Sequence, residues 1–446
     1  MKVIVCGAGD VGRHLAEVLS GQGHGVTMVD IRAESLRKFE ELIDVRSITG
    51  SSADAAVLRD AGVEKCDLLV AATNQDEINL LTGTIAKRMG ARRAIVRIHH
   101  KAYIDRASLD YAKYLDLDHL ICPEHLTAQV IARTLSNPGA RAIERFAGEK
   151  IEMQQYVVQP QSPTAGVPLS QLELPAGVRL ATIERGDEAF IPHANSALKV
   201  GDVVTVIGET RHFETVRKVL HQRKRATSNV VIMGGTSMAV WLARALHGQA
   251  FSVRLFETDR ERAQELSEKL EHVTVLQADP TDPVVFQEEH LENCNAFVAV
   301  SNNDEHNILG ALQARELGAQ LTVAVITQPK YLILLEHVGI DHPFSPRVVA
   351  AKEVLRLIDE SPVKRLATIA EGVADVYELT HARNGSAVGK QLKDIKLPKG
   401  AFVAAVQRQD DVRVPGADDT IQSGDGLIVI GPRKIERPLR DLFIGK

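Results

Sequence analysis

The chain has 446 residues, 44% of them hydrophobic and 25% charged, and a formal net charge of −5. This is globular material with core enough for two to four domains, and its charge excludes wholesale electrostatic binding to nucleic acid. No apolar run approaches the ~18 residues that span a bilayer. The opening "MKVIVCGAGD" is expected to enter a strand at once, without a secretory signal.

In chain order, 3–6 reads as a β-branched strand that stops at Gly7, with glycines recurring at Gly9 and Gly12 before a helical pattern over 12–20. Gly7 permits a tight turn, Gly9 a close backbone approach to a pyrophosphate, and Gly12 close packing of helix on strand. The helix start offers unpaired N–H groups and the positive end of its dipole. A second strand, 26–29, leads to Asp30, placed to accept hydrogen bonds from ribose hydroxyls. A carboxylate there disfavours a 2′-phosphate, although Arg32 lies close by. A helix over 33–42 follows, then a strand at 68–72 whose end carries Thr73 and Asn74. A helix at 78–89 leads to a strand at 94–98 holding Arg97, a charge for a phosphate. Buried strands with helical crossovers predict a doubly wound parallel sheet of Rossmann type. Residues 141–220 change character. "MQQYVVQ", "VRLATIER" and "DVVTVIG" are short strands between turns, closed by a helix near 211–221, which predicts a small α+β lobe. The basic run Arg223, Lys224 and Arg225 reads as a solvated helix end in the link to the second copy, with attraction to a membrane surface or an acidic partner as the alternative.

The unit then repeats. "VIVCGAGDVGRHLAEVL" aligns with "VVIMGGTSMAVWLARAL", "CDLLVAATNQDEINLL" with "CNAFVAVSNNDEHNIL", and "DHLICPE" with "DHPFSPR". One unit of roughly 225 residues occurs twice, the length of a duplicated domain pair. The expected boundaries are N-lobes at 1–138 and 228–361 and C-lobes at 139–224 and 362–446. In the second copy Thr236 replaces Gly9, Ala239 replaces Gly12 and Val325 replaces Arg97, while Glu257 stands in for Asp30. Its fold is expected to survive with a weak or empty site. The four cysteines, Cys6, Cys66, Cys122 and Cys294, show no C-x-x-C or zinc spacing and read as buried apolar residues in a reducing cytoplasm.

Two functions suit a nucleotide loop: an NAD-dependent oxidoreductase or a binding module. His193, His212 and His221 form no catalytic constellation, and the adjacent His99 and His100 point apart on an extended chain. With no chemistry beside the loop, the residues favour a sensor over an enzyme. "GAGDVG…VTMVD…ATNQDEINL…VRI…DHLICPEHL" resembles the regulator-of-potassium-conductance (RCK) family. The doubled unit resembles the TrkA-type cytosolic subunits of bacterial Trk potassium-uptake systems. The resemblance implies a non-catalytic protein that binds NAD(H) or ATP/ADP. It would assemble as a homotetramer and lie on the inner face of the membrane through an integral potassium-transporting subunit. It carries nucleotide contacts onto Gly7, Ala8, Gly9, Asp10, Val11, Asp30, Thr73, Asn74 and Arg97. His99 stands where the family often has a second arginine. The helices that follow Pro123 and Pro346 are expected to cross over and pack on a neighbouring N-lobe.

Overall fold

The computed structural model describes residues 1–445 except 42, 106–108, 137–139, 147–149, 187, 194, 222–226, 381 and 410. The basic run at 223–225 and the end of the helix expected over 33–42 therefore lie outside the described residues.

The first N-lobe alternates strand and helix: β1 (Lys2–Cys6), α1 (Asp10–Gly21), β2 (Gly25–Asp30), α2 (Ala33–Glu40), β3 (Arg46–Thr49), α3 (Ala55–Asp60), β4 (Leu68–Ala71), α4 (Asp76–Met89), β5 (Ala94–Arg97), α5 (Tyr111–Tyr114), β6 (His119–Ile121) and α6 (Pro123–Ser136). All six strands are parallel, in the order β3-β2-β1-β4-β5-β6. The pleat explains the apolar runs. Val3 and Val5 of β1 face one core, with Leu15 and Leu19 of α1. Ile4 and Cys6 face the other, with Leu58 and Leu80. Burial on both faces leaves no polar position in the run. The edge strands β3 and β6, half exposed or three residues long, lack that signature and escape a hydropathy reading. Helix α4 shows local design. Asp76 and Glu77 open it, Lys87 and Arg88 close it, and Gly90 at φ 112° ends it, each matched to the helix dipole or the left-handed cap.

A C-lobe follows with β7 (Ala140–Phe146), β8 (Ile151–Val157), β9 (Val178–Arg185), β10 (Glu188–Phe190), β11 (Val203–Glu209) and α7 (Phe213–His221). The second N-lobe repeats the first as β12 (Ser228–Met233), α8 (Ser237–Leu246), β13 (Phe251–Phe256), α9 (Arg260–Lys269), β14 (Thr274–Leu276), α10 (Pro283–Glu288), β15 (Ala296–Ala299), α11 (Asp304–Glu316), β16 (Thr322–Val325), α12 (Leu332–His337), β17 (His342–Phe344) and α13 (Pro346–Ile358). Its sheet has the matching order β14-β13-β12-β15-β16-β17. The last lobe holds β18 (Val363–Ile369), β19 (Ala374–Leu379), β20 (Phe402–Arg408), β21 (Asp411–Arg413), β22 (Gly426–Pro432) and α14 (Glu436–Phe443).

The chain forms two compact units, one of Met1–Ala132 with Ala226–Ile358, the other of Arg133–Arg225 with Asp359–Lys446. In the first unit the two N-lobes trade helices. Ala350, Ala351, Val354 and Ile358 of α13 join the core of the first copy beside Leu15 and Leu19. Arg93 donates to the Leu357 and Ile358 carbonyls at 3.3 and 3.2 Å, closing the end of α13. Reciprocally, His125 of α6 lies 4.3 Å, ring to ring, from Trp241 of α8. The second unit holds two five-stranded antiparallel sheets, ordered β10-β9-β11-β8-β7 and β18-β19-β22-β20-β21. They share one core that joins Ile151, Met153 and Ile207 to Val376, Ala405 and Ile430. Each sheet carries a bidentate pair on a buried carboxylate at the same repeat position. Arg185 holds Asp202 at 2.8 and 2.7 Å, and Arg408 holds Asp425 at 2.9 and 2.8 Å.

Candidate functional site

In the first N-lobe sheet, β1 and β4 are neighbours where the strand order reverses, the place at which open α/β sheets leave a crevice beyond their carboxyl ends. The glycine loop closes over this point. Gly7 sits at φ +105°, and a Cβ there would come within 2.8 Å of the Ala72 backbone and the Thr73 nitrogen. A Cβ on Gly12 would meet the Gly7 carbonyl oxygen at 1.9 Å. These two glycines are demanded by the fold. Gly9 is different. Its Cβ would find only Asn74 Oδ1, at 3.8 Å, an ordinary contact across the crevice. Gly9 is the N-cap of α1 and supplies no side-chain cap, so nothing on that residue competes for the N–H groups of the first turn, formed by Asp10, Val11 and Gly12.

Asp30 ends β2 and is 9% exposed. Its Oδ2 accepts the Ala8 N–H at 2.6 Å and its Oδ1 accepts the Arg32 N–H at 2.8 Å. The carboxylate expected to hold a ribose thus also fixes the loop; its Oδ1 takes the Arg32 Nε–H as well, at 3.4 Å, and its Oδ2 keeps a lone pair. Ile31 beside it is 71% exposed, an apolar face next to that carboxylate. Thr73 and Arg97 are held by a residue the motif reading passed over. Asn79 is wholly buried. Its Oδ1 accepts the Thr73 N–H and hydroxyl at 2.9 and 2.6 Å, and its Nδ2 donates to the Thr73 and Arg97 carbonyls, each at 3.0 Å. The repeat carried the signal: Asn307 makes the same four bonds to Ser301 and Val325. A polar residue kept at one helical position in both copies, inside an apolar helix face, marks a keystone.

Arg97, expected to face a phosphate, is 8% exposed and pairs with Glu124 Oε1 at 3.0 Å, while its Nε has no partner. His99 and His100 do diverge. Asp76 accepts the His99 and His100 N–H groups at 2.9 and 2.8 Å and faces His99 Nδ1 at 2.9 Å, while His100 Nδ1 accepts the Ala102 N–H at 3.3 Å. Burial alone would push the Asp76 pKa up. The His100 N–H, the His99 ring and the His99 N–H outweigh it and hold the carboxyl below its usual range. His193 is exposed in its turn, its N–H on Ser196 Oγ at 3.0 Å. All four cysteines are buried and unpaired. Among the described residues no group of three His, Cys, Asp or Glu is arranged for a metal.

The second copy keeps the scaffold and changes the chemistry. Glu257 Oε2 accepts the Gly235 N–H at 2.7 Å and its Oε1 the Asp259 N–H at 2.8 Å, reproducing the clamp of Asp30. A cavity of about 750 Å³ opens at this loop. Its carboxylates are Glu124, Glu257, Asp279 and Asp304, and its arginine, Arg262, is engaged by the Gly235 carbonyl at 2.8 Å and by Glu265. Thr236 caps α8, its Oγ1 accepting the Ala239 N–H at 3.4 Å.

The comparisons agree with this duplicated layout. The TrkA-N domain matches residues 3–123 and 230–346, and the TrkA-C domain residues 153–221 and 376–444. A Trk system potassium uptake protein TrkA homolog of Archaeoglobus fulgidus is 36% identical over 443 residues, spanning 99% of this chain and 100% of that protein. The Trk system potassium uptake protein TrkA of Haemophilus influenzae is 32% identical over 441 residues, 96% of this chain and 95% of its own. Among solved structures, the GsuK RCK domain superposes with a TM-score of 0.64 at 16% identity, covering 98% of this chain and 94% of that one. The GsuK channel bound to NAD gives the same TM-score and identity over 100% and 79%. At that identity the likeness is one of fold. With both domain types present twice and full-length relatives at this identity, the chain belongs to the TrkA family of Trk system potassium uptake proteins.

Proposed function

We propose that this chain is a cytosolic regulatory subunit of a Trk-type potassium transporter that senses an adenine nucleotide, NAD(H) or ATP/ADP, in its first N-lobe. One observation carries the choice of lobe: α1 begins at a glycine with no side-chain cap, whereas α8 is capped by the Thr236 hydroxyl. Oxygens of a pyrophosphate bind where helix N–H groups stay free. Gly7, Ala8, Gly9, Asp10, Val11 and Gly12 supply the loop, and Asp30 receives the ribose. Ile31 offers an apolar face to the base, and Thr73, Asn74 and Arg97 border the crevice. The chain acts by binding, without catalysis, as a homotetramer held at the inner face of the membrane by an integral potassium-transporting subunit.

A thermal-shift panel of NAD, NADH, ATP, ADP and NADP tests the ligand, because a ligand bound only to the folded state raises the melting temperature by mass action. NAD(H) or ATP/ADP should raise it, and NADP least. A panel with no shift would defeat the nucleotide reading. Oxidation of NADH on addition of 2-oxo acids would favour the oxidoreductase.

A further inference from the structure

The helices traded between the two N-lobes bring opposite charges to the two glycine loops. "DHLICPE" and "DHPFSPR" place Glu124 and Arg347 at the same position, one residue past the proline that opens each crossover helix. Glu124 lines the cavity at the second loop. Arg347 reaches the first loop, its guanidinium NH2 lying 2.8 Å from Asp10 Oδ2. Asp10 is the first residue of α1, directly after Gly9. Its other oxygen takes the Arg13 guanidinium at 2.9 Å. Two arginines from two copies therefore converge on one carboxylate at the start of the helix.

The exposures are unequal. The Asp10 side chain is 54% exposed, that of Arg347 only 17%. Packing of Ala350, Ala351 and Val354 on the first core fixes the helix that carries the arginine. A half-exposed carboxylate adds little to stability, so the pair is a weak explanation for where the arginine sits. A guanidinium matches phosphate in shape as well as charge.

We propose that Arg347 completes the first nucleotide site. Lent by the second copy, it turns from Asp10 to phosphate oxygens of the ligand seated on the loop. The proposal rests on the nucleotide reading above. It also gives phosphate charge in one copy a direct hold on a helix of the other, a physical contact through which occupancy can be transmitted. At the second loop the matching residue is Glu124, which pairs with Arg97 and offers no guanidinium to a phosphate.

Calorimetry on the full chain with AMP, ADP, ATP and NAD tests this. Arg347→Gln should weaken ADP and ATP about tenfold or more, as loss of a charged hydrogen bond does, and should weaken AMP less. Arg347→Lys should recover part of the loss. Asp10→Asn, which frees the guanidinium from a competing carboxylate, should bind ATP more tightly than the unaltered chain. Melting temperatures without nucleotide report on the fold. Were the pair only structural, Arg347→Gln and Asp10→Asn would both lower the melting temperature and leave ATP and ADP affinity unchanged, overturning the proposal. If the unaltered chain bound none of the four ligands, the nucleotide reading itself would fall first.

Discussion

Glycines seven, nine and twelve form one motif in the sequence, yet they answer to different demands. At Gly12 a methyl group would sit 1.9 Å from the Gly7 carbonyl oxygen, and at Gly9 it would touch nothing closer than 3.8 Å. Gly12→Ala should therefore lower the melting temperature measured without nucleotide. Gly9→Val should leave that temperature nearly unchanged and weaken nucleotide binding about tenfold or more, since charged hydrogen bonds of about 1.5–3 kcal/mol each depend on backbone approach. Thermal unfolding and calorimetry on the two variants separate the roles. If Gly9→Val bound as tightly as the unaltered chain, Gly9 would not be where phosphate meets backbone. The glycines and Asp30 were legible because a tight turn and a strand-end acid leave local signatures. Asn79 left no local signature, only its repetition as Asn307, because its four bonds go to Thr73, just past β4, and to Arg97, at the end of β5, which only the folded sheet brings together. Glu124 as the partner of Arg97 is a tertiary fact of the same kind.

At the scale of elements, the buried β-branched strands and the amphipathic helices between them could be read directly, because burial on both faces writes itself into composition. The edge strands β3 and β6 could not, since half-exposed or very short strands carry no alternation to find. In the C-lobes two acids beside the strands, Asp202 and Asp419, have arginine partners that give the protein a pH response. Burial would raise the Asp202 pKa, but Arg185 and the Lys199 N–H outweigh it and lower it. Asp419, facing Arg413 at 2.6 and 2.7 Å, is held down to about 2. A carboxyl whose pKa falls on folding contributes stability above its unfolded value, near 3.9, and loses it as pH drops through the folded value. Stability from these groups should thus hold constant down to about pH 5 and fall between about pH 4 and pH 2. Asp419→Asn should cost on the order of 1 kcal/mol at pH 7, after allowance for its partial exposure. The difference from the unaltered chain should shrink as pH falls and vanish below about pH 2. Urea titrations across that range check both, and a penalty for Asp419→Asn that did not shrink between about pH 4 and pH 2 would show that packing, and not charge, sets its contribution.

The duplication sets what the whole molecule can be. Because α13 packs on the first N-lobe core and His125 of α6 meets Trp241 of α8, a single chain already contains the paired N-lobe unit that two separate single-copy chains would have to associate to make. No helix among the described residues is long and apolar enough to cross a membrane. The homotetramer proposed above would hold eight N-lobes, and light scattering should then give four times the 48.7 kDa of one chain. The two copies in each chain are unequal, since α1 starts uncapped at Gly9 while α8 is capped by Thr236 and shares its cavity with four carboxylates. The assembly should therefore bind four nucleotides tightly and not eight. Asp30→Ala should abolish most of the calorimetric signal, and Glu257→Ala should leave it unchanged. A strict monomer at micromolar concentration would overturn the homotetramer. Eight equal sites, or a silent Asp30→Ala beside a damaging Glu257→Ala, would move the sensing function out of the first copy.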